Sequence, residues 1–252
     1  MSVINLFKDL KIDQDDGSSL SAFVPKQTAR ILVIGSTGAG KTNTVLNIIM
    51  RHWVFDFLVV RAKNIDKPDW QVAKKYFEKH EQKTGEKQTE WENHLNDLPE
   101  PGDLDPESRL VFITDDMMDE SPAEQKKIAH LFIAGRKAGI SCISIVQSLF
   151  GVNTTVRRNV TDYILMGGKP NGKKLDTRAL ETVWENDCTD LTWQEFRDLY
   201  DSCAEIEYGF LYINLRAKNI YQKYCFKFQN YFNPRVLKEY YAERGIKVKG
   251  KK

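Results

Sequence analysis

Eight consecutive residues, Gly35-Ser36-Thr37-Gly38-Ala39-Gly40-Lys41-Thr42, match the spacing G-x-x-x-x-G-K-[ST] at every fixed position. The chemistry of such a segment is the capture of phosphate. Its glycines let successive backbone N–H groups turn inward on an anion, and a helix that starts behind them adds its positive end. Lys41 brings a mobile cation to the β- and γ-phosphates of a nucleotide, and the Thr42 hydroxyl is placed to ligate Mg²⁺. The expected ligands are therefore ATP and Mg²⁺, held by residues 35–42.

A phosphate site of this kind needs an acid to complete the metal shell. The run Leu110-Val111-Phe112-Ile113-Thr114-Asp115-Asp116 ends an apolar strand in two carboxylates. Asp115 is expected to hold Mg²⁺ together with Thr42, and Asp116 to act as general base on the attacking water. The other reading of the pair, an acidic cap on the following helix, is one that Asp119-Glu120-Ser121 can also satisfy. A further apolar run, 140–147, ends in Gln147, a polar group suited to sensing the γ-phosphate or holding the lytic water. Transition-state charge on that phosphate calls for an arginine, often donated by a neighbouring subunit. Arg136, Arg157 and Arg158 are the candidates, and Arg157 and Arg158 are expected in a loop near the active edge.

These groups need a scaffold that brings them to one place. RILVIG (30–35) reads as a strand buried on both faces, and the apolar spacing Val45, Leu46, Ile48, Ile49, Trp53 reads as a helix behind the glycines. FDFLVVRA (55–62), RLVFITDD (109–116), ISCISIVQ (140–147) and DYILMGG (162–168) are further strands, with FDFLVVRA expected at a sheet edge. Residues 64–108 predict two amphipathic helices, one with Val72, Tyr76 and Phe77 on its buried face and one with Trp91 and Leu95, then a proline-rich loop. SPAEQKKIAHLFIAGRKAG predicts a helix capped by Ser121, with proline at N1 and glutamate at N3. Two helices follow, over RALETVWEND and WQEFRDLY, and then a β-hairpin from EYGFLYINL and IYQKYCFKF around RAKN. Alternating strands and helices give an α/β fold: a mainly parallel sheet with helices on both faces, of the P-loop type with an additional strand, plus a C-terminal hairpin. The expected organisation is a lead-in at 1–29, the ATPase domain at 30–230 and a basic tail at 231–252.

The 252 residues are 41% hydrophobic and 29% charged with a net charge of +2, which excludes a histone-like basic protein and an acidic disordered tail. No stretch approaches the roughly 18 to 20 apolar residues that span a bilayer, so no transmembrane segment is expected. Acids near the amino terminus argue against a secretory leader. The four cysteines lack C-x-x-C spacing and read as reduced thiols in an intracellular compartment.

Taken together, GSTGAGKT, RLVFITDD, GRKAGISCISIVQSLF and TTVRRNVTDYILM resemble the genome-packaging ATPases of double-jelly-roll double-stranded DNA viruses, of the poxvirus and virophage type, within the FtsK–HerA superfamily. The likeness covers about residues 30 to 230. It implies an ATP-hydrolysing motor that moves duplex viral DNA into a preformed capsid, working as a homo-oligomeric ring docked on capsid vertex proteins in the host cytoplasm or virus factory. It supports Lys41 and Thr42 at the nucleotide, Asp115 and Asp116 at metal and water, and Gln147 as sensor. Many relatives carry glutamate where this chain has Asp116, one methylene longer, and Arg-His where it has Arg136-Lys137. Basic residues suited to DNA phosphates are Lys63, Lys67, Lys169, Lys173, Lys174 and the tail lysines 247, 249, 251 and 252. Two other readings stay open: a nucleoside or small-molecule kinase, which shares the glycine loop, and a nucleotide-gated assembly protein in which hydrolysis is incidental.

Overall fold

A computed structural model of the chain describes residues 23–96, 98, 102, 107–167, 173–232 and 242. Its strands, in chain order, are β1 (Arg30–Ile34), β2 (Phe57–Ala62), β3 (Thr89–Glu92), β4 (Leu110–Asp115), β5 (Ser141–Val146), β6 (Asp162–Met166), β7 (Phe210–Asn214), β8 (Tyr224–Phe226) and β9 (Asn230–Tyr231). The helices are α1 (Lys41–Arg51), α2 (Pro68–Thr84), α3 (Pro122–Ala134), α4 (Thr154–Arg158), α5 (Thr177–Asp187) and α6 (Trp193–Ala204). Every residue of β4, β5 and β6 is buried, which is why these segments are near-continuous apolar runs rather than alternating ones. Successive side chains still point to opposite faces. Ile31 and Val33 pack with α1 and α2, while Leu32 and Ile34 pack with α3 to α6.

The strand order is β3-β2-β4-β5-β1-β6-β7-β8-β9. The first six run parallel, and β6 to β9 pair antiparallel in sequence. β5 therefore lies between the strand that feeds the glycine loop and the strand that ends in the acids, the additional-strand form of the P-loop nucleotidase fold. The hairpin expected near the C-terminus is present as β7 and β8. Its connection is longer than RAKN, running through a 3₁₀ turn at Ile220–Gln222, and β9 adds a third antiparallel strand.

Three expectations change. The second strand is not at the edge, because β3 pairs parallel with it on the outside. The segment carrying Trp91 is that strand and not a helix. Glu81 of α2 accepts from the Gln88 and Thr89 amides and the Thr89 hydroxyl, so the chain leaves α2 at Gly85 already extended and tied down. Thr-Glu-Trp-Glu then alternates with period two. Trp91 meets Trp70 edge-on at 6.1 Å, while Glu90 pairs with the fully buried Arg61 of β2. Finally, the buried face of α2 is Trp70, Ala73 and Phe77, sharing only Phe77 with the expected one and otherwise shifted by one residue, and Val72 and Tyr76 are exposed. The proline-rich loop, the lead-in before residue 23 and the tail lysines lie outside the described residues.

Candidate functional site

Register explains how residues more than a hundred apart meet. Ile34 pairs with Val146, and Asp115 pairs with Ile145. All three strands run the same way, so Gly35, Asp116 and Gln147 leave the same sheet edge at the same height. Backbone bonds from Gly35 N to Val146 O (3.2 Å) and from Asp116 N to Ile145 O (3.0 Å) extend the pairing one step past the strands. Parallel sheets with alternating crossovers place their loops at this carboxyl edge, where a ligand binds.

The glycine loop needs its glycines for different reasons. Gly38 and Gly40 have φ of 78° and 88°, the left-handed region that a side chain resists. Gly35 is there for space: a Cβ on it would lie 2.6 Å from Met166 Cβ of β6. Lys41 Nζ donates to the carbonyls of Gly35 (2.7 Å) and Ser36 (3.0 Å), so the loop curls around the ammonium. Burial holds that ammonium below the ordinary lysine range, against the pull of Asp115 and then Asp116. Ser36 Oγ is buried in the same loop with no hydrogen-bond partner among the described residues.

Thr42 Oγ1 donates to Asp115 Oδ2 at 3.4 Å, joining the start of α1 to the end of β4. The buried Asp115 has a closer partner that the sequence did not reveal, Trp70 Nε1 at 2.9 Å, and Lys67 Nζ stands 4.0 Å away. An indole from a helix across the sheet leaves no spacing signal, so only the packing of α2 discloses it. A hydroxyl and a carboxylate this close suit Mg²⁺, which takes one or two protein oxygens and completes its octahedron with waters and phosphates. Among the described residues no group of three or more His, Cys, Asp or Glu could hold a metal ion on its own.

Asp116 has φ of 60°, a left-handed conformation that Asp tolerates better than most residues, and this turns its carboxylate off the strand line. Gln147 Nε2 donates to Asp116 Oδ2 at 3.0 Å, and Gln147 Oε1 accepts from Thr37 Oγ1 at 3.2 Å. One side chain thus bridges the acid strand and the glycine loop. The helix-capping reading of the acids finds no use here, since Ser121 and Glu124 form a reciprocal capping box on α3. Thr37, Lys41, Thr42, Asp115, Asp116 and Gln147 line a common cavity of about 200 Å³, joined by Lys67 and Asp69 from the start of α2.

The arginines are elsewhere. Arg157 and Arg158 stand in the last turn of α4, not in a loop at the active edge. Three residues later Thr161 N bonds Arg30 O at the amino-terminal edge of the sheet, so the chain has already descended away from the phosphate loop. Both arginines line a separate cavity of about 370 Å³ beside α5, with Tyr163 and Asp187, and Arg157 Nη2 donates to Thr154 Oγ1. Arg136 lies in a 3₁₀ turn (Gly135–Ala138) that leads into the amino end of β5, again the far edge. Of the lysines considered for DNA, Lys63 pairs with Asp119 (2.6 Å), Lys67 belongs to the phosphate cavity, Lys174 pairs with Asp201 (2.9 Å) and Lys173 is exposed. Lys169 and the tail lysines 247, 249, 251 and 252 lie outside the described residues. All four cysteines are buried and unbridged, with burial raising each thiol to about 12. No helix among the described residues is long and apolar enough to cross a membrane.

No protein-family model matches the chain, and none of the curated proteins matches it in sequence. Among solved structures it is similar to the genome packaging NTPase B204 from Sulfolobus turreted icosahedral virus 2. In complex with ATP-gammaS that match is 13% identical, covers 78% of this chain and 94% of the other, and has a TM-score of 0.42. The sulfate complex gives the same identity and coverage with a TM-score of 0.46. The chain is also similar to the cytoplasmic domain of the Thermomonospora curvata Type VII secretion ATPase EccC, at 13% identity over 81% of this chain and 26% of the other, with a TM-score of 0.44.

Proposed function

We propose that this chain is an ATP-hydrolysing motor that translocates double-stranded DNA, and that its task is to package a viral genome into a preformed capsid. The single observation that carries the hydrolytic part is the hydrogen-bonded line Thr37–Gln147–Asp116, which couples the phosphate loop to a carboxylate in the same cavity. A protein that only binds nucleotide needs no such line. The resemblance of GSTGAGKT, RLVFITDD, GRKAGISCISIVQSLF and TTVRRNVTDYILM to packaging ATPases supports the rest.

In this reading the loop amides and Lys41 bind and neutralise the phosphates, and Thr42 and Asp115 hold Mg²⁺. The ion, when bound, supplies charge neutralisation to the β- and γ-phosphate oxygens. Asp116 accepts the proton of the attacking water at its carboxylate, and Gln147 fixes that carboxylate and reports on the γ-phosphate through Thr37. Trp70 holds the rotamer of Asp115 by its indole N–H. In a homo-oligomeric ring the transition-state cation comes from a neighbouring subunit; of Arg157 and Arg158, Arg158 is the more exposed. DNA is gripped through its phosphates by basic loops such as that of Lys173, which needs no reading of sequence.

Steady-state ATP hydrolysis with and without linear duplex DNA tests this directly. Turnover stimulated by DNA, lost in Lys41→Ala and in Asp116→Asn with ATP binding retained in the latter, is the expected result. Turnover indifferent to DNA, phosphate transfer to a small acceptor, or tight ATP binding with negligible turnover would each overturn the motor.

A further inference from the structure

The phosphate site is directional. Asp115, Asp116 and Gln147 lie at or just past the ends of β4 and β5, on one side of β1, so the reacting end of a triphosphate lies on that side. A nucleotide laid across the loop must then send its ribose and base to the other side, over β6 and β7. The element standing there is the connection from α6 to β7, and it carries an aromatic ring into the loop's flank. A Cβ on Gly40 would lie 3.2 Å from Tyr208 Cδ1 and 3.7 Å from Met166 Cε.

We propose that Tyr208, flanked by Ile206, is the platform on which the nucleobase stacks, an inference that rests on the nucleotide reading of residues 35–42. Both residues are 47% exposed, next to a loop whose other neighbours are buried strands. Among the described residues no aromatic ring stacks on Tyr208. Its backbone has φ of 53°, a conformation rare for a bulky residue, and the surroundings enforce it. Gly209 N donates to Ile206 O at 2.7 Å and Gly167 N to Gly209 O at 3.2 Å, which tie the turn to itself and to the end of β6. A Cβ on Gly209 would fall 1.9 Å from Cys203 O, so only glycine closes the turn. The ring is thus presented to the flank of the phosphate loop by a preformed turn, at no ordering cost when a base arrives.

Stacking uses the face of a base and not its edges. The platform therefore accepts adenine and guanine alike, and the specificity of this subsite is for a nucleotide carrying a base over a bare polyphosphate. The experiment is isothermal titration, in EDTA so that nothing is hydrolysed, of ATP, GTP and inorganic tripolyphosphate into the full chain. Variants are Tyr208→Gly, which removes the ring and suits the left-handed backbone, and Tyr208→Phe, which keeps the ring. Expected are about a tenfold or greater loss of ATP and GTP affinity in Tyr208→Gly, tripolyphosphate affinity within about twofold of wild type, and near-wild-type behaviour of Tyr208→Phe. ATP binding unchanged in Tyr208→Gly, an equal loss for tripolyphosphate, or a matching loss in Tyr208→Phe would each overturn the platform while leaving the phosphate site intact. A wild-type chain that binds neither ATP nor tripolyphosphate would instead overturn the nucleotide reading itself, and the platform with it.

Discussion

The contact between Trp70 and Asp115 offers a sharp test, because it joins a helix on one face of the sheet to the metal-side carboxylate at the sheet's edge. Trp70 is fully buried and Asp115 is 4% exposed, with Nε1 and Oδ2 2.9 Å apart. The other partners of that oxygen are longer, Thr42 Oγ1 at 3.4 Å and the half-exposed Lys67 Nζ at 4.0 Å. A hydrogen bond to a charged group contributes about 1.5–3 kcal/mol, and removing the donor leaves a buried carboxylate short of its closest partner. Trp70→Phe and Asp115→Ala, singly and together, form a double-mutant cycle read by denaturant unfolding. The expected coupling is about 1.5–3 kcal/mol, well above the roughly 0.3–0.5 kcal/mol within which independent sites add. Trp70→Phe should also raise the Mg²⁺ concentration needed for half-maximal ATP turnover, a change that loss of packing alone does not produce. Additivity within that margin, together with an unchanged Mg²⁺ dependence, would refute the claim that the indole positions Asp115.

Glu90→Ala should cost about 3 kcal/mol in unfolding free energy, because it strips the partner from the fully buried Arg61 guanidinium and loosens β3; Arg61→Met with Glu90→Ala should recover much of that loss. Gly35→Ala should sharply weaken ATP binding and lower stability by about 1–3 kcal/mol, since the added Cβ must displace Met166 Cβ, which is fixed to the β6 backbone; wild-type affinity in that variant would contradict the close approach. Burial lowers the Lys41 pKa, so its charge is lost at a pH below the ordinary lysine range, and ATP affinity should fall as pH rises through that lowered value, earlier than for an unburied lysine. In Lys41→Arg, which stays charged throughout, the fall in that range should vanish even though absolute affinity is weaker.

Much of this molecule is legible without coordinates because its signals are local. The octapeptide 35–42 carries its own geometry: glycines at the turning positions, a cation and a hydroxyl at the helix start, and a β-branched strand before them. The apolar runs over 110–115, 141–146 and 162–166 name the parallel strands because burial on both faces removes polar alternation. Ser121-Pro122 with Glu124 names the start of α3, since a capping box is closed by residues three apart.

What the tertiary structure decided are relations between segments. The strand at 89–92 looked helical because its charges and tryptophan fit an amphipathic face; pairing with β2 and the need to satisfy Arg61 made it a strand. Arg157 and Arg158 follow a strand that ends at the site, yet one short helix carries them toward the far edge. Trp70 reaches Asp115 from α2, and Tyr208 reaches the flank of the phosphate loop from the turn before β7; no spacing rule connects either to the site. Backbone propensity and periodicity act over a few residues and are written in order along the chain. The partners of a buried carboxylate or the flank of a loop are set by which faces pack together, and that is a property of the folded sheet alone.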